Sequence, residues 1–210
     1  MLFNRIVLTV WIVSVSGCVT FQEQITPGAV VTLEAGEVLV FGKVGLIKNG
    51  EARAPKWSLF STGAMLFFYK QTDNGASKDQ LDAITSPSAR QVHIRLITRK
   101  NGDFSVIIPS GRYVVEHIVP TDGCSIKPET AFDASTPGKA YYLGEMIIDV
   151  DTSFFPQPQC DSLNFLEVTD QYEIERSALL KMIPELPPET ITKALMTRIP
   201  GHFPNLPGKR

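Results

Sequence analysis

The sequence predicts a mainly β protein, a transthyretin-like (Ig-like) two-sheet sandwich with a small C-terminal helical appendage. Between residues 30 and 168, short β-rich runs alternate with turn signals such as Asn49-Gly50 and Asn101-Gly102, which is typical of sandwiches. After residue 169 the apolar residues recur at helical spacing instead. Strands followed only at the end by helices favour one sheet-built domain.

The whole chain suits a single domain. It has 210 residues, a formal net charge of −2 and three cysteines. A chain of this length is ample for one hydrophobic core. Nucleic-acid-binding proteins usually carry a basic patch and a high isoelectric point, so we expect no nucleic-acid partner.

The N-terminal segment has the order of a secretory signal. Arg5 is followed by an apolar run over residues 6–15, and small residues then precede Cys18. Basic, apolar and small residues in this order characterise signal peptides, and the run is shorter than the about 20 residues of a spanning helix. Val15-Ser16-Gly17-Cys18 resembles the lipobox of bacterial lipoproteins. The alternative is a buried N-terminal strand that contains a cysteine.

The resemblance to bacterial lipoproteins implies that residues 1–17 are removed as a signal peptide and that Cys18 carries lipid, including palmitate. Val19, and not Asp, follows the cysteine, which in lipoproteins of the enteric type implies the outer membrane. We therefore expect an anchor in the outer membrane facing the periplasm, with exposure at the cell surface left open. Several acyl chains would hold firmly, since each buried CH₂ contributes about 0.8 kcal/mol.

Cys124 and Cys160 are the two remaining cysteines, in a compartment that permits disulfides. We predict that they pair and stabilise the fold by about 3–4 kcal/mol, because the bond closes a loop of about 36 residues. Two unpaired buried thiols are the alternative. A metal site is disfavoured, because no His or further Cys stands at ligand spacing, and we expect no metal and no cofactor.

The first half of the chain predicts a tether and then short strands. Residues 18–29 are polar and predict the tether, and the sandwich domain is expected over residues 30–168. Strand candidates lie at 30–33, 38–47, 57–60 and 64–69, and the polar stretch 71–90 predicts a surface loop.

Apolar and polar residues alternate along two central strands, which predicts one buried face on each. These faces are Val92, Ile94 and Leu96 on the first strand and Phe104, Val106 and Ile108 on the second. Pro109 and Gly111 then predict a type I turn. Further strands are expected at 113–119, 140–150 and 163–168.

Two C-terminal helices are predicted within residues 169–199, followed by an irregular tail at 200–210. Asp170 and Glu173 form a capping-box pattern for the first helix, and the second is expected to begin near Pro188. Their apolar faces are Ile174, Ala178 and Met182 in the first and Ile191, Ala194 and Leu195 in the second. We expect the first helix to cover a sheet face; docking of a partner protein is the alternative.

Two stretches resemble a known family. Residues 102–115 carry a Gly-x-Phe strand, a Pro-x-Gly turn and Tyr113 at the start of the returning strand, and residues 137–144 read Pro-Gly-Lys-x-Tyr-Tyr-x-Gly. The first stretch resembles the central hairpin of transthyretin-like, or carboxypeptidase-regulatory-like, domains. The second resembles the following strand in small bacterial lipoproteins of this type. The resemblance implies a binding or structural module, although a fold does not fix a function.

Residues that could carry chemistry are few. His93 and His117 would form a metal-binding pair only across adjacent strands and with a third ligand that is not evident; solvated strand residues are the alternative. Asp149 and Asp151 share one side of a strand, where carboxylates can do acid–base work, bind a cation or simply be solvated. Ser110 occupies a turn, which explains its presence. We therefore assign no catalytic residue.

A group of basic residues is expected near one edge of a sheet: Arg90, Arg95, Arg99, Lys100 and Arg112. A charged edge prevents strand-to-strand aggregation. The alternative is an anionic partner such as a polysaccharide or a lipid headgroup.

Together these observations predict a lipid-anchored, non-enzymatic binding or structural module of the cell envelope, with an envelope protein as its expected partner. Two alternatives stay open: an envelope hydrolase or carbohydrate-processing enzyme, and a small-ligand or metal-binding module. An enzyme should show convergent polar groups with perturbed pKa values, whereas a subunit should show an exposed apolar patch.

Overall fold

A computed structural model describes residues 20–55, 63–71, 93–121, 124–153 and 159–199. These residues form two β-sheets and one α-helix, which confirms the predicted mainly β fold with a helical appendage. The helix, α1, spans Tyr172–Met182, and a 3₁₀ turn lies at Pro188–Thr190. The strands in chain order are β1 (Thr20–Gln22), β2 (Glu37–Lys48), β3 (Glu51–Arg53), β4 (Met65–Lys70), β5 (His93–Ile97), β6 (Asp103–Pro109), β7 (Gly111–Thr121), β8 (Cys124–Ile126), β9 (Thr130–Ala134), β10 (Ala140–Ser153), β11 (Gln159–Thr169), β12 (Ile191–Lys193) and β13 (Thr197–Arg198).

The two sheets are joined by a hairpin that crosses between them. The first sheet has the order β1–β5–β4–β7–β9–β13, with β8 also paired to β7. The second has the order β11–β10–β2–β3, with β12 beside β10 and β6 beside β2. The turn at residues 109–111 links β6 to β7 and so closes one end of the sandwich, which we call the hairpin end.

The main core lies between the sheets and follows the predicted alternation. Ile94 and Leu96 of β5, and Phe104, Val106 and Ile108 of β6, are all buried. They pack in one cluster with inward residues of both sheets. Burial of these apolar side chains away from water is the main favourable contribution to the stability of the domain.

A second core covers the outer face of the second sheet. Leu39, Phe41 and Tyr142 point outward from that sheet and pack against Leu179 and Ile183 at the end of α1. Residues 25–33 lie on the same face, with Ile25 buried. The molecule is therefore three-layered, and the helix covers a sheet face as predicted.

The C-terminal appendage differs from the prediction of two helices. After the 3₁₀ turn, Ile191 pairs in parallel with Ala140 at the start of β10, so the second predicted helix is replaced by β12. The predicted face of the first helix is also wrong in part, because Ile174 and Ala178 are exposed and Leu179 is the buried residue of α1.

The predicted capping box is not formed. Gln171 occupies the N-cap position and makes no side-chain capping bond. Asp170 accepts the backbone N–H of Tyr172 at 3.0 Å instead, and its other oxygen accepts Lys193 Nζ at 2.6 Å. The lysine bond is the largest cause of the lowered pKa of Asp170. Asp170 thus links the start of α1 to β12.

The predicted tether is folded where the structure describes it. Thr20 to Gln22 form β1, and Ile25 is buried in the second core. Cys18, the predicted strand at 57–60, most of the predicted loop at 71–90 and the tail at 200–210 lie outside the described residues. Within the described part of the chain, no helix is long and apolar enough to cross a membrane.

Candidate functional site

The segment that follows Cys18 is fixed to both sheets. Strand β1 runs parallel to β5, with Thr20 opposite Ile94. The Gln24 side chain then donates through Nε2 to the carbonyl of Ile97 in β5 at 2.7 Å and accepts through Oε1 the N–H of Ser105 in β6 at 2.7 Å. The side-chain amide of Gln24 therefore links the first sheet to the second.

Arg99 holds the next part of the same segment. Its guanidinium donates to the carbonyl of Ile25, to Ser105 Oγ at 2.9 Å and to Met182 Sδ at 3.2 Å. Burial lowers the pKa of Arg99 and the nearby Asp103 opposes this shift. Arg99 thus ties the N-terminal segment to the end of α1, a role that the sequence does not reveal because its partners are 74 and 83 residues away.

The predicted disulfide between Cys124 and Cys160 is confirmed. Cys124 begins β8 in the first sheet and Cys160 lies in β11 of the second, with 4.7 Å between their Cα atoms. The bond therefore cross-links the two sheets covalently. It lies at the end of the sandwich opposite to the hairpin end, because Cys124 pairs with Thr121 at the end of β7. We call this the disulfide end.

The basic residues do not form one cluster among the described residues. Arg95 stacks its guanidinium on the Phe67 ring at 4.8 Å, and Arg99 points under α1 instead. Strand β5 is paired on both sides, by β1 and β4, so it is not an edge that needs protection. Arg112 is exposed near the hairpin end, and Arg90 lies outside the described residues.

The two candidate histidines are not on adjacent strands. His93 lies on β5 and His117 on β7, and β4 runs between them. In the described ranges, no group of three or more His, Cys, Asp or Glu side chains is arranged to hold a metal ion. The geometry therefore does not bring these two residues together as a ligand pair.

His117 contacts two other polar residues that the sequence analysis did not connect with it. Its Nδ1 lies 3.4 Å from Ser125 Oγ, and its Nε2 lies 3.9 Å from Glu116 Oε1. Glu116 is the extra residue of a β-bulge, since Phe67 and Phe68 pair with His117 and Val115. Both distances exceed the 2.6–3.2 Å or so of an activated nucleophile, and the His117 and Glu116 side chains are about one-third exposed, at 32% and 35%.

Asp149 and Asp151 lie on one side of β10, as predicted, and face polar neighbours on β11. Asp151 accepts Ser162 Oγ at 3.0 Å and Asn164 Nδ2 at 3.2 Å, and the same Asn164 amide lies 3.4 Å from Asp149. These bonds join both carboxylates to polar side chains of the neighbouring strand. The pair belongs to a hydrogen-bonded polar face near the disulfide end.

A charged row lies beneath α1. Asp103, Lys43 and Glu145 are register neighbours on β6, β2 and β10, and Lys43 Nζ lies 3.7 Å from Glu145 Oε1. Glu175 of α1 lies over this row. Burial raises the pKa of Glu175, Asp103 and Glu145 raise it further, and Lys43 opposes them. Structural charge networks perturb pKa values as active sites do, and here the network lies at a helix–sheet contact.

The motif residues that carry the family resemblance have structural roles. Tyr113 donates to the carbonyl of Pro109 at 2.5 Å and stacks on Phe132. Tyr142 accepts the N–H of Gln171 at 2.9 Å, and burial raises its pKa to about 12 despite that bond. Because both hydroxyls hold backbone in place, these residues explain the fold rather than an activity.

Comparison of the chain with protein-family models, with curated proteins and with solved structures finds no match.

Proposed function

We propose that this chain is a lipid-anchored protein of the bacterial cell envelope whose sandwich domain acts as a non-enzymatic binding or structural module in the periplasm. The lipid would be attached at Cys18. The proposal rests on the lipobox-like segment and on one structural observation, the disulfide between Cys124 and Cys160. Disulfides form and persist mainly in oxidising compartments, which supports an address outside the cytoplasm.

The order of the N-terminal segment supports the same proposal. A lipid on Cys18 would act on a domain that begins two residues later, since β1 starts at Thr20. The segment is bonded to β5 and β6 through Gln24. An anchor placed there would hold the whole domain at the membrane, which suits a module that acts by its position.

The test is acylation of the full chain expressed in a bacterium with an outer membrane. We expect incorporation of an alkyne-labelled palmitate and recovery with outer-membrane vesicles. Cys18→Ala should lose the label and leave the precursor uncleaved at this position. The Cys124→Ser, Cys160→Ser double variant is the matched control and should keep the label. Recovery of Cys18→Ala in the outer-membrane fraction at the wild-type level, without label, would overturn the proposal.

An envelope hydrolase is the second candidate function, and the contact of His117 with Ser125 and Glu116 is the observation that favours it. A Ser–His–carboxylate row can activate the serine hydroxyl when its distances tighten on substrate binding. A fluorophosphonate probe tests it directly. Labelling that is lost in Ser125→Ala and in His117→Ala, but kept in Ser162→Ala, would favour the hydrolase over the non-enzymatic module.

A further inference from the structure

We propose that the side chain of Asn49 is a site of spontaneous covalent modification, and that the disulfide end of the sandwich controls how fast the modification proceeds. The reaction converts an asparagine that precedes glycine into aspartate or isoaspartate. The inference does not depend on the proposed lipid anchor. Three observations carry it: the exposed Asn49-Gly50 turn, the bridge of hydrogen bonds from Asn49 to Thr152, and the position of Thr152 opposite Cys160.

The chemistry needs no reactant other than water. The backbone nitrogen of Gly50 loses its proton to solvent and attacks Cγ of Asn49, so that a nitrogen–carbon bond forms. Nδ2 takes up a proton from solvent and leaves as ammonia, and a five-membered succinimide ring results. Water then opens the ring: addition at Cγ yields aspartate, and addition at the main-chain carbonyl carbon yields isoaspartate. Glycine favours the attack because it has no side chain and restricts the backbone least.

The turn that joins β2 to β3 presents this pair of residues to solvent. The β2–β3 ladder pairs Lys48 with Glu51 and leaves Asn49 and Gly50 as the two turn residues. Their φ angles are +53° and +78°, and positive φ at both positions is typical of a type I′ hairpin turn. Both residues are exposed, so water reaches the reacting atoms.

The Asn49 side chain is held by two hydrogen bonds to one residue of β10. Its Oδ1 accepts the N–H of Thr152 at 2.8 Å, and its Nδ2 donates to the Thr152 carbonyl at 3.3 Å. Ring closure rotates this side chain and expels Nδ2, so both bonds have to break first. Two such bonds should slow the reaction by about tenfold or more relative to an open chain.

The disulfide restrains the residue that holds Asn49. In the β10–β11 ladder Thr152 stands opposite Cys160, which is bonded to Cys124 of the first sheet. The ladder ends one residue later, and the ends of strands are where pairing opens most readily. Because the disulfide fixes this end of β11 to the first sheet, its reduction should let Thr152 separate from the Asn49 side chain more often.

Asn101-Gly102 is the same dipeptide in a turn that opposes the reaction. Gly102 is buried, and its N–H donates to the Arg99 carbonyl at 2.8 Å, so the attacking nitrogen is already engaged. The Asn101 side chain is bonded within its own turn, to the backbone N–H and the carboxylate of Asp103. These partners lie on neither β10 nor β11, so Asn101 is an internal reference for the effect of the disulfide. The pair Asn74-Gly75 lies outside the described residues.

Either product would weaken the disulfide end. In aspartate a carboxylate oxygen takes the place of Nδ2 and faces the Thr152 carbonyl, so two acceptors oppose each other where a donor stood. In isoaspartate the main chain gains one carbon, which disrupts the two-residue turn that fixes the hairpin register. A chain that has spent time with the bridge open would therefore carry a lasting chemical change at the same end.

The test measures the reaction at Asn49 and Asn101 in the same purified full chain. After incubation in mildly alkaline buffer, brief tryptic digestion at mildly acidic pH releases residues 49–53 and 101–112 as separate peptides, since Lys48 and Lys100 precede the two asparagines. Mass spectrometry detects the replacement of NH₂ by OH in each peptide. In the oxidised protein Asn49 should react about tenfold more slowly than in the reduced chain in urea. Faster reaction at Asn101 than at Asn49 would overturn the assignment.

Thr152→Pro separates the bridge from the disulfide. It removes the N–H that Asn49 Oδ1 accepts and leaves both cysteines in place. Thr152→Ala is the matched control, because it keeps the backbone N–H. We expect Thr152→Pro to raise the rate at Asn49 by about threefold or more, with the rate at Asn101 unchanged and Thr152→Ala at the wild-type rate. Equal rates at Asn49 in all three proteins would overturn the role of the bridge.

Reduction of the wild type is a second, independent measurement that requires no substitution. Reductant should accelerate the reaction at Asn49 and leave Asn101 unchanged while circular dichroism shows that the fold is retained. An unchanged rate at Asn49 would overturn control by the disulfide. Acceleration of Asn49 and Asn101 by the same factor would show that the whole domain opens, which would overturn the specific role of Thr152.

Discussion

Gln24 and Ser105 form a reciprocal link between the N-terminal segment and the second sheet. The Ser105 N–H donates to Gln24 Oε1 at 2.7 Å, and the Ser105 carbonyl accepts the N–H of Ile25, the next residue, at 2.9 Å. The same Gln24 amide donates to Ile97 in the first sheet. The side chain of Gln24, six residues after the proposed lipid attachment at Cys18, therefore connects both sheets of the sandwich.

Replacement of Gln24 by alanine should destabilise the domain. It removes both side-chain bonds and leaves the N–H of the buried Ser105 without its partner, which costs about 1–3 kcal/mol in the free energy of unfolding. Urea denaturation followed by circular dichroism measures the change. Glu23→Ala is the control, because Glu23 is exposed, and should stay within about 0.5 kcal/mol of wild type. Equal midpoints for the two variants would contradict this role of Gln24.

The disulfide should stabilise the domain mainly because closing a loop lowers the conformational entropy of the unfolded chain. Cys124 and Cys160 are separated by 36 residues, for which the chain-entropy model gives about 4 kcal/mol. The Cys124→Ser, Cys160→Ser double variant should unfold at lower urea and lower temperature than the oxidised wild type. Reductant should lower the midpoint of the wild type and leave that of the variant unchanged. A wild-type midpoint indifferent to reductant would show that the bond adds no stability.

The elements that the sequence predicted well share a strong local pattern. The buried faces of β5 and β6 follow from alternation, and the disulfide follows from counting cysteines. Strand β12 is not predictable from the sequence, because three residues are too few to show an alternation of apolar and polar side chains. Its conformation depends on pairing with β10. The buried face of α1 was misjudged because the helix carries two apolar stripes, one with Ile174 and one with Leu179, and only packing on the sheet selects between them.

The candidate site was less predictable than the fold, because its contacts join distant segments. The bonds of Gln24 span 73 and 81 residues. The Ser125–His117 contact depends on a bulge at Glu116 that turns the following side chain. Glutamine, arginine and serine are common surface residues, so their types alone do not reveal such partners.

The last glycine of the Pro-Gly-Lys-x-Tyr-Tyr-x-Gly stretch should not tolerate a side chain. Gly144 has φ of +99°, and a Cβ there would stand 2.6 Å from Val168 Cγ1. Gly138 also has a positive φ, +75°, but open space around its Cβ position. Gly138→Ala should therefore cost about 1–2 kcal/mol for the backbone alone, and Gly144→Ala should cost clearly more. Thermal unfolding of both variants measures the difference, and equal losses would show that crowding at Val168 is unimportant.

Glu175 should make the stability of the domain depend on pH in a defined direction. Its pKa in the folded protein is raised above the ordinary value of 4.5, first by burial and then by Asp103 and Glu145, against the opposing effect of Lys43. The folded state therefore binds the proton more tightly than the unfolded state. The stability that this proton contributes is present below pH 4.5 and is lost as pH rises through the raised pKa.

Glu175→Gln should remove the loss of stability that accompanies ionisation of Glu175, because the neutral amide keeps the shape of the side chain without its charge. At pH 7 the variant should be more stable than wild type by less than about 1 kcal/mol, since solvent screens a half-exposed charge. Below pH 4.5 the advantage should vanish. Glu173→Gln on the exposed side of the same helix is the matched control. Urea denaturation of all three proteins across pH 4–8 measures the effect, and a Glu175→Gln variant less stable than wild type at pH 7 would show that the carboxylate stabilises α1 through Lys43 instead.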